Sequence, residues 1–328
     1  MKKILVRWAM CVFLLYMLAL PALALELIPG GCVIGLELQN GAVTVAGFAD
    51  DSPGREAGLL EGDRITAVDG KAIAGTADVR EALDHSKGSV TLAVTRGEKS
   101  LTLRLSPAIT PNGPKLGVYL KDGITGIGTV TYYDPENGSF GALGHGVNTP
   151  DSKLLLLKTG SIYSARVASV RKGEAGKPGQ LMGAVTGEDA LGKLERNTAC
   201  GVFGKCKMPE HAQPLPVGQA KSGAATILST VGDDGVQAYS VEIVKVYSGN
   251  RSEGRNMLLR VTDDRLLQTT GGIVQGMSGS PIIQDGKLVG AVTHVLVNDP
   301  TTGYGIFIEN MLETAQSIAE NNNLKDAS

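Results

Sequence analysis

The chain has 328 residues, enough for two domains with separate cores, and it contains 44 glycines but only 4% aromatic residues. This composition favours short strands and tight turns over helical bundles. With 31 basic and 33 acidic residues the net charge is −2 at pH 7, and no basic stripe is present, so we expect no nucleic acid partner.

Residues 1–25 predict a signal peptide or a membrane anchor. Lys2, Lys3 and Arg7 introduce an apolar stretch that ends at Ala22-Leu23-Ala24, where a signal peptidase site is expected. The apolar stretch, of ~17 residues, is marginal for a helix that spans a bilayer, which leaves an uncleaved anchor as the alternative. Either interpretation takes the rest of the chain out of the cytosol.

Three cysteines follow the leader: Cys32, Cys200 and Cys206. The spacing of Cys200 and Cys206 would allow a small disulfide loop in an oxidising space, but the odd count favours free structural thiols. No histidine stands at zinc-ligand spacing from these cysteines. We therefore predict neither a metal nor a cofactor.

Residues 26–106 predict an α+β domain. Ser52 before Pro53 predicts an N-capped helix with proline in its first turn, and Asp78–Glu81 predict a capping box for a second helix. Three short motifs resemble those of a bacterial PDZ domain: S-P-x-x-x-A-G-L from Ser52, G-D-x-I from Gly62 and V-D-G from Val68.

A PDZ domain binds an extended peptide at a sheet edge beside a helix, and the free amides of a glycine loop hold the terminal carboxylate. The resemblance therefore implies a peptide C-terminus or an internal strand as a partner. We place the carboxylate loop at Ile34, Gly35 and Leu36, and the walls of the groove at Val79 and Leu83. The alternative is that the apolar residues of this set are simply core.

Residues 107–114 are rich in proline and predict a linker, and residues 115–328 predict a second domain. Strand-like runs divided by Gly, Asn or Asp turns fit a chymotrypsin-like double β-barrel of six plus six strands. A helix is predicted over 308–320, where apolar residues recur at helical spacing and would pack on a barrel. The predicted fold class is therefore mainly β, with a PDZ domain followed by a protease domain.

The stretch Gly276–Pro281 has the form of the nucleophile turn of a chymotrypsin-type protease. A serine hydroxyl needs a base to remove its proton and hydrogen-bond donors to receive the oxyanion. A glycine-flanked turn would expose Ser278 and direct the amides of Gly276 and Ser278 at one point. A β-hairpin is predicted behind it, with its turn at Gln284–Lys287. The alternative is a plain glycine and serine turn between strands.

Histidine is the usual base because its ordinary pKa, about 6.5, lies near working pH. Of the four histidines, His145 is favoured because it lies between glycines after a strand-like run, and the alternative is a loop histidine bonded to backbone. His294 is assigned, with Gln275, to the substrate pocket, and it is also the rival base. His85 and His211 are not favoured.

An acid is also needed, to fix the tautomer of the histidine and to stabilise the imidazolium. Asp263 and Asp264 follow a strand-like run over Met257–Thr262, and we choose Asp263. It lies only fifteen residues before Ser278, much closer than the acid of trypsin-like enzymes, so this choice depends on a family pattern.

The order of elements resembles the SpoIVB peptidase family of endospore-forming bacteria. A hydrophobic leader and a PDZ-like domain precede Gly126–Thr129, Phe140–Gly146 and Val261–Asp263, and a specific run extends from Leu266 to Gly305. The resemblance covers nearly the whole chain after the leader. It implies a catalytic triad formed by His145, Asp263 and Ser278.

The resemblance implies a serine endopeptidase secreted across the forespore membrane into the space between the two membranes. There the family cuts a protein that regulates an intramembrane protease, which leads to activation of the late mother-cell sigma factor, and its members process themselves. Two other classes are considered. A non-catalytic PDZ adaptor is disfavoured by the intact triad, and an envelope quality-control protease normally carries its protease domain before its PDZ domain.

Overall fold

The computed structural model describes residues 25–86, 88–149, 152–210, 212–247 and 254–316. The predicted leader up to residue 24, His211 and the end of the predicted terminal helix lie outside these ranges. Within them, no helix is both long enough and apolar enough to cross a bilayer.

The described strands and helices are numbered in chain order. Strands β1 to β20 are Glu26–Pro29, Val33–Phe48, Arg64–Val68, Lys71–Ala72, Val90–Arg96, Lys99–Leu105, Ala108–Thr110, Gly113–Lys115, Val118–Tyr133, Ser139–Ala142, Thr159–Arg171, Gln180–Thr198, Gly201–Cys206, Leu215–Pro216, Gly223–Ser229, Gln237–Val246, Met257–Val261, Pro281–Gln284, Lys287–Leu296 and Asp299–Phe307. Helices α1 to α4 are Pro53–Glu56, Thr76–Asp84, Asp264–Thr270 and 308–316.

Six antiparallel strands close the first barrel. β9 pairs with β10, β10 with β13, β13 with β12, β12 with β11, β11 with β2, and β2 again with β9. Alternate side chains of a strand point to the same face, so Ile34 and Leu36 of β2 are buried together, and they meet Val130 of β9 in the barrel core.

A second closed barrel follows, in the strand order β15-β16-β17-β20-β19-β18. Its core contains Ile227, Ile243 and Leu259, all fully buried. The predicted hairpin behind the serine is confirmed as β18 and β19, with Asp285 and Gly286 at positive φ in its turn. The predicted double-barrel architecture is thus confirmed.

The PDZ domain consists of β3 to β6, α1, α2 and the outer halves of β2 and β9. Its core contains Val45, Ile65, Val79 and Leu83. As predicted, Ser52 caps α1, and its hydroxyl accepts a hydrogen bond from the Arg55 amide at 3.2 Å. Because β2 and β9 each run for 16 residues and pair along both halves, the same two strands build the PDZ domain and the first barrel.

The structure corrects the predicted domain boundary at residue 26. β1 pairs with β9 through Ile28 and Tyr133, and the first half of β2 pairs with β11, so residues 26–38 lie in the sheet of the first barrel. The predicted linker over 107–114 forms the short hairpin β7–β8, and its Gly113 approaches Asp84 at the end of α2. Local composition marks a turn-rich stretch but does not say which sheet receives its neighbours.

Two smaller expectations have clear outcomes. α2 begins at Thr76 rather than at Asp78, because the Asp78 carboxylate reaches back to the amides of Ala74 and Gly75 from the third helical position. The thiols of Cys200 and Cys206 are free, as favoured from the sequence.

Candidate active site

The nucleophile turn depends on two glycines in the left-handed region. Gly276 has φ of 101° and Gly279 has φ of 98°, which side-chain-bearing residues rarely adopt. The amides of Met277 and Gly279 donate to carbonyls at 3.1 and 2.8 Å. In the described part of the chain, no hydrogen bond occupies the amides of Gly276 and Ser278, so both can receive a new acceptor.

The Ser278 hydroxyl lies at the open side of this turn. Its Oγ donates to the carbonyl of Thr293 on β19 at 2.7 Å. Thr293 is itself held, because its hydroxyl donates to Gly254 O at 2.7 Å. The Ser278 hydroxyl is therefore hydrogen-bonded to the backbone of the second barrel. It must rotate about the Cα–Cβ bond of Ser278 to reach a base.

The loop that carries His145 leaves β10 through a left-handed turn. Leu143 and Gly144 have φ of 68° and 69°, and for leucine this conformation is strained. A Cβ at Gly144 would lie 2.9 Å from the Thr293 methyl group, so the loop packs closely on the second barrel. On its other side, the Asn197 side chain accepts from Val147 N at 2.8 Å and donates to Val147 O at 2.7 Å. The histidine is thus fixed between the two barrels.

The tautomer of His145 follows from one contact. Its Nδ1 lies 2.9 Å from Gly146 O, and because a carbonyl only accepts, Nδ1 must carry the proton. Nε2 is then unprotonated and has the lone pair that a general base needs. Burial lowers the pKa of His145 below its ordinary value, and the bond to Gly146 O opposes this shift only in part. The imidazole is therefore neutral at neutral pH.

His294 lies directly beside this base. The ring centroids of His145 and His294 are 5.2 Å apart, with the planes inclined by 39°. Burial, the neighbouring His145 and then Arg255 lower the pKa of His294 to about 4. Its Nδ1 is buried, and the described residues offer it no hydrogen-bond partner. Both imidazoles are therefore neutral at neutral pH. Burial disfavours a positive charge on either ring, and a charge on His145 would further disfavour one on His294.

The structure does not bring Asp263 to His145. Asp263 is the N-cap of α3, where its carboxylate accepts from the amides of Arg265 and Leu266. It also accepts from Ser240 N at 3.2 Å and forms a salt bridge with Arg265 at 2.9 Å. The Arg265 guanidinium, more than any other neighbour, lowers the pKa of Asp263 to about 2. The predicted role of Asp263 as the acid of a triad therefore stays a prediction.

A cleft of about 520 Å³ opens between the barrels, and Ser278 and His145 both line it. The two predicted pocket residues, Gln275 and His294, line it as well. The rest of the wall is mostly apolar: Leu36, Leu38, Ile124, Ile127, Leu143, Val147, Ile273, Val274, Val295 and Val297. Among the described residues, no Asp, Glu, Lys or Arg lines this cleft.

The structure separates the residues that were predicted to form the peptide groove of the PDZ domain. Ile34, Gly35 and Leu36 pair with β9 and β11 in the first barrel, and Leu36 lines the catalytic cleft. Val79 and Leu83 do line a groove, of about 580 Å³, between α2 and the start of β9. Its other walls include two cations and two apolar residues: Arg80, Lys115, Leu116 and Leu120.

Three residues of the site were given no role of their own from the sequence. The Thr293 carbonyl accepts a hydrogen bond from the serine hydroxyl, Asn197 holds the histidine loop, and Thr129 bonds to the nucleophile turn. Thr129 belongs to a Gly-Ile-Gly-Thr stretch that the resemblance had marked. Nothing local distinguishes Thr293 and Asn197 from other strand residues, because both act through long-range contacts.

Two closed six-stranded barrels, with a glycine-turn serine and a buried neutral histidine in the cleft between them, define a serine peptidase, and this one also carries a PDZ domain. Comparison with known proteins agrees: the model of the SpoIVB peptidase S55 family matches residues 112–312, and a PDZ domain model matches residues 44–96. The chain belongs to the SpoIVB peptidase S55 family.

Individual relatives are similar over shorter stretches. A putative zinc metalloprotease of Rhizobium meliloti is 35% identical over 97 residues, which are 29% of this chain and 25% of that protein. The carboxy-terminal-processing protease of Bartonella bacilliformis is 37% identical over 71 residues, which are 20% of this chain and 16% of that protein. The chain thus spans a quarter or less of the length of these two relatives.

Two solved structures are similar over parts of the chain. The PDZ domain of the SdrC-like protein from Listeria monocytogenes is 27% identical, with a TM-score of 0.22, and the match covers 24% of this chain and 87% of that one. The inactive form of Rv3671c from M. tuberculosis is 14% identical, with a TM-score of 0.31, and the match covers 59% of this chain and 82% of that one.

Proposed function

We propose that this serine peptidase is a secreted endopeptidase that cuts a regulatory protein, and itself, in a signalling step of sporulation. The regulatory protein would control an intramembrane protease, and the cut would lead to activation of the late mother-cell sigma factor. The observation that supports this most strongly is the joint placement of Ser278 and His145 in one cleft, in a chain whose catalytic domain belongs to the SpoIVB peptidase family. The leader-like residues 1–25 support secretion into the intermembrane space or attachment to the membrane.

The geometry supports acyl transfer by Ser278. The hydroxyl leaves Thr293 O and turns toward His145, whose Nε2 takes the proton as Oγ forms a bond to the peptide carbonyl carbon. The amides of Gly276 and Ser278 would then bind the oxyanion. His145 next donates its proton to the leaving amine as the C–N bond breaks, and a water molecule hydrolyses the acyl-enzyme by the same steps in reverse order.

The carbonyl of Gly146 does part of the work that a triad acid does elsewhere. It holds the proton on Nδ1 and so fixes the tautomer, but it carries no full negative charge to stabilise the imidazolium. Asp263 would supply that charge only if the start of α3 moved toward the cleft. The described arrangement therefore supports a Ser278–His145 pair, with Asp263 as a proposed third member.

The walls of the cleft suggest the kind of residue that is cut. Because the lining is apolar and, among the described residues, carries no charged side chain, an apolar side chain would be accepted before the scissile bond, and a charged one would lose its hydration without a partner. The groove between α2 and β9 would bind a second, extended segment of the substrate or of another chain, with Arg80 and Lys115 near a terminal carboxylate.

The first test is self-processing. The chain without residues 1–25 is produced as wild type and as Ser278→Ala, and both are followed over time by intact mass. We expect the wild type to shorten and the variant to stay whole, and the cut sites should show apolar residues before the scissile bond. If a fluorophosphonate probe fails to label Ser278 in folded wild-type protein, the peptidase mechanism is contradicted.

The signalling role needs a separate test. A sporulating host that lacks its own family member is complemented with the full chain or with Ser278→Ala, and a reporter of the late mother-cell sigma factor is measured. We expect the wild type alone to restore the reporter. Efficient degradation of denatured casein by the purified enzyme, without restoration of the reporter, would instead assign the protein to envelope quality control.

A further inference from the structure

Thr129 of β9 bonds to both loops that carry the catalytic pair, and it does not line the cleft. Its hydroxyl donates to Gly276 O at 2.8 Å, and its amide donates to Ser278 O at 3.2 Å. Its carbonyl accepts from Leu143 N, two residues before His145, at 3.2 Å. The residue is fully buried, so solvent cannot replace any of these bonds.

The contact between this strand and the nucleophile turn is unusually close. A Cβ at position 279 would overlap the Thr129 carbonyl oxygen, and only glycine fits there. The turn therefore lies directly against the backbone of β9, which belongs to the first barrel, while Ser278 itself precedes β18 of the second barrel. Thr129 is thus a point at which the first barrel can fix the geometry of the nucleophile.

The bond to Gly276 O controls a peptide group that could otherwise rotate. Gly276 has φ of 101°, and a glycine permits a flip of the following peptide at little steric cost. The peptide between Gly276 and Met277 is planar, so fixing its carbonyl also fixes the amide of Met277, which donates to Val274 O at 3.1 Å. This peptide lies between the two amides proposed to bind the oxyanion.

We infer that Thr129 is a positioning residue: its hydroxyl holds the Gly276–Met277 peptide so that the amides of Gly276 and Ser278 converge on the oxyanion. The residue does not touch substrate, and its effect is expected in the chemical step rather than in binding. This inference rests on the proposed mechanism at Ser278.

The chain provides a matched control two residues along the same strand. Thr131 points to the same face of β9, is also fully buried, and its hydroxyl has no hydrogen-bond partner among the described residues. Valine has nearly the shape of threonine without the hydroxyl. Thr129→Val and Thr131→Val therefore make the same chemical change at two equally buried sites, but only the first removes a bond to the nucleophile turn.

The test compares wild type, Thr129→Val, Thr129→Ser and Thr131→Val on a peptide that contains the enzyme's own cut site. For Thr129→Val we expect kcat to fall by about 10- to 100-fold and KM to change by less than about threefold. Loss of a direct oxyanion donor lowers kcat by up to ~10³-fold, and Thr129 acts only through the peptide that positions the donors. Affinity for a peptide aldehyde, which forms an oxyanion on Ser278, should fall in parallel. Thr131→Val should match wild type, and Thr129→Ser should recover most of the loss.

The melting temperature of each variant separates folding from positioning. Equal kcat in Thr129→Val and Thr131→Val, failure of Thr129→Ser to restore kcat, or unchanged aldehyde affinity in Thr129→Val would overturn the inference. If wild-type protein neither labels at Ser278 nor cuts peptide, the proposed mechanism fails instead, so the two failures are distinct.

Discussion

Ser278 in the nucleophile turn and Asp263 at the start of α3 are fifteen residues apart in the chain, yet the two segments are held in opposite ways. The turn bonds across to the first barrel, through Thr129 and through Gln275, whose amide donates to Gly179 O. Asp263 instead bonds to Ser240 of β16 in the second barrel and to Arg265 and Leu266 of its own helix, α3.

The electrostatic character of the two regions differs as well. The turn and the two imidazoles beside it are neutral. In the described structure, the amides of Gly276 and Ser278 in the turn donate no hydrogen bond. The Asp263 carboxylate is charged and fully engaged by a helix start and a guanidinium. Closeness to the serine in the sequence therefore does not bring a group to the cleft, whereas contact between the barrels does.

Substitution can distinguish the roles of the two imidazoles in the cleft, and it should give the largest change in kcat/KM among these predictions. His145→Gln should lower kcat/KM by about 10⁴-fold or more, because the base is lost, while His294→Gln should change kcat/KM by less than about tenfold through altered packing of the cleft. Hydrolysis of a fluorogenic peptide measures both. The reverse order of effects would make His294 the base.

The close contact between the turn and the first barrel predicts a large difference between two glycines. Gly279→Ala should reduce the free energy of unfolding by more than about 3 kcal/mol, because the new Cβ overlaps Thr129 O and φ is positive. Gly286 also has positive φ but has open space around it, so Gly286→Ala should cost about 1 kcal/mol. Urea unfolding of both variants checks this, and equal losses would contradict the contact.

The engaged carboxylate at the start of α3 predicts a moderate loss of stability. Asp263→Ala removes the N-cap and the partner of Arg265, and should cost about 1 to 2 kcal/mol. Asp264→Ala, an exposed change in the same turn, should cost a few tenths of that.

The same pair tests the triad. If kcat of Asp263→Ala, measured well below its melting temperature, falls by about 10⁴-fold, the carboxylate reaches His145 in the working enzyme and α3 must move. A fall of less than tenfold would leave the Gly146 carbonyl as the group that orients the base. Asp264→Ala, in which the cap stays intact, gives the baseline for either result.

What the sequence predicted well is local. The serine turn follows from glycines that permit positive φ, the hairpin behind it from Asp285-Gly286, and the start of α1 from Ser52 before a proline. Each of these features depends on residues within four positions of one another, so a short sequence pattern is enough to predict the local backbone conformation.

What the sequence did not predict depends on partners far along the chain. Ile34-Gly35-Leu36 and Leu116-Gly117-Val118 have the same apolar-glycine-apolar pattern, but only Gly117 has positive φ, and only Leu116 lines the peptide groove. The pairing of β2 with β11 assigns the first pattern to the barrel. Likewise, the choice between Asp263 as an acid and Asp263 as a helix cap depends on Ser240 and on the direction of Arg265.

The smallest expected effect is on the pH dependence of kcat/KM, and it follows from the neutral state of the two imidazoles. Because burial lowers the pKa of His145, the base form persists below pH 6.5, where a histidine with an ordinary pKa would lose about half of it. We therefore expect kcat/KM to keep its plateau value from pH 7.5 to pH 6.5 and to fall only at lower pH, whereas a base with an ordinary pKa of about 6.5 would already lose about 1.8-fold over this interval. A half-loss at pH 6.5 would contradict the buried, neutral base.

The same shifts make stability depend on pH with a definite sign. The unfolded chain protonates its histidines near pH 6.5, whereas the folded pKa of His145 is lower and that of His294 is about 4, so the unfolded state binds more protons between these values. The histidine contribution should therefore lower the melting temperature from pH 7 to pH 5. His294→Asn should flatten this slope, because it removes a group whose pKa falls from 6.5 in the unfolded chain to about 4 in the folded one. An unchanged slope in His294→Asn would mean that His294 is as solvated in the folded chain as in the unfolded one.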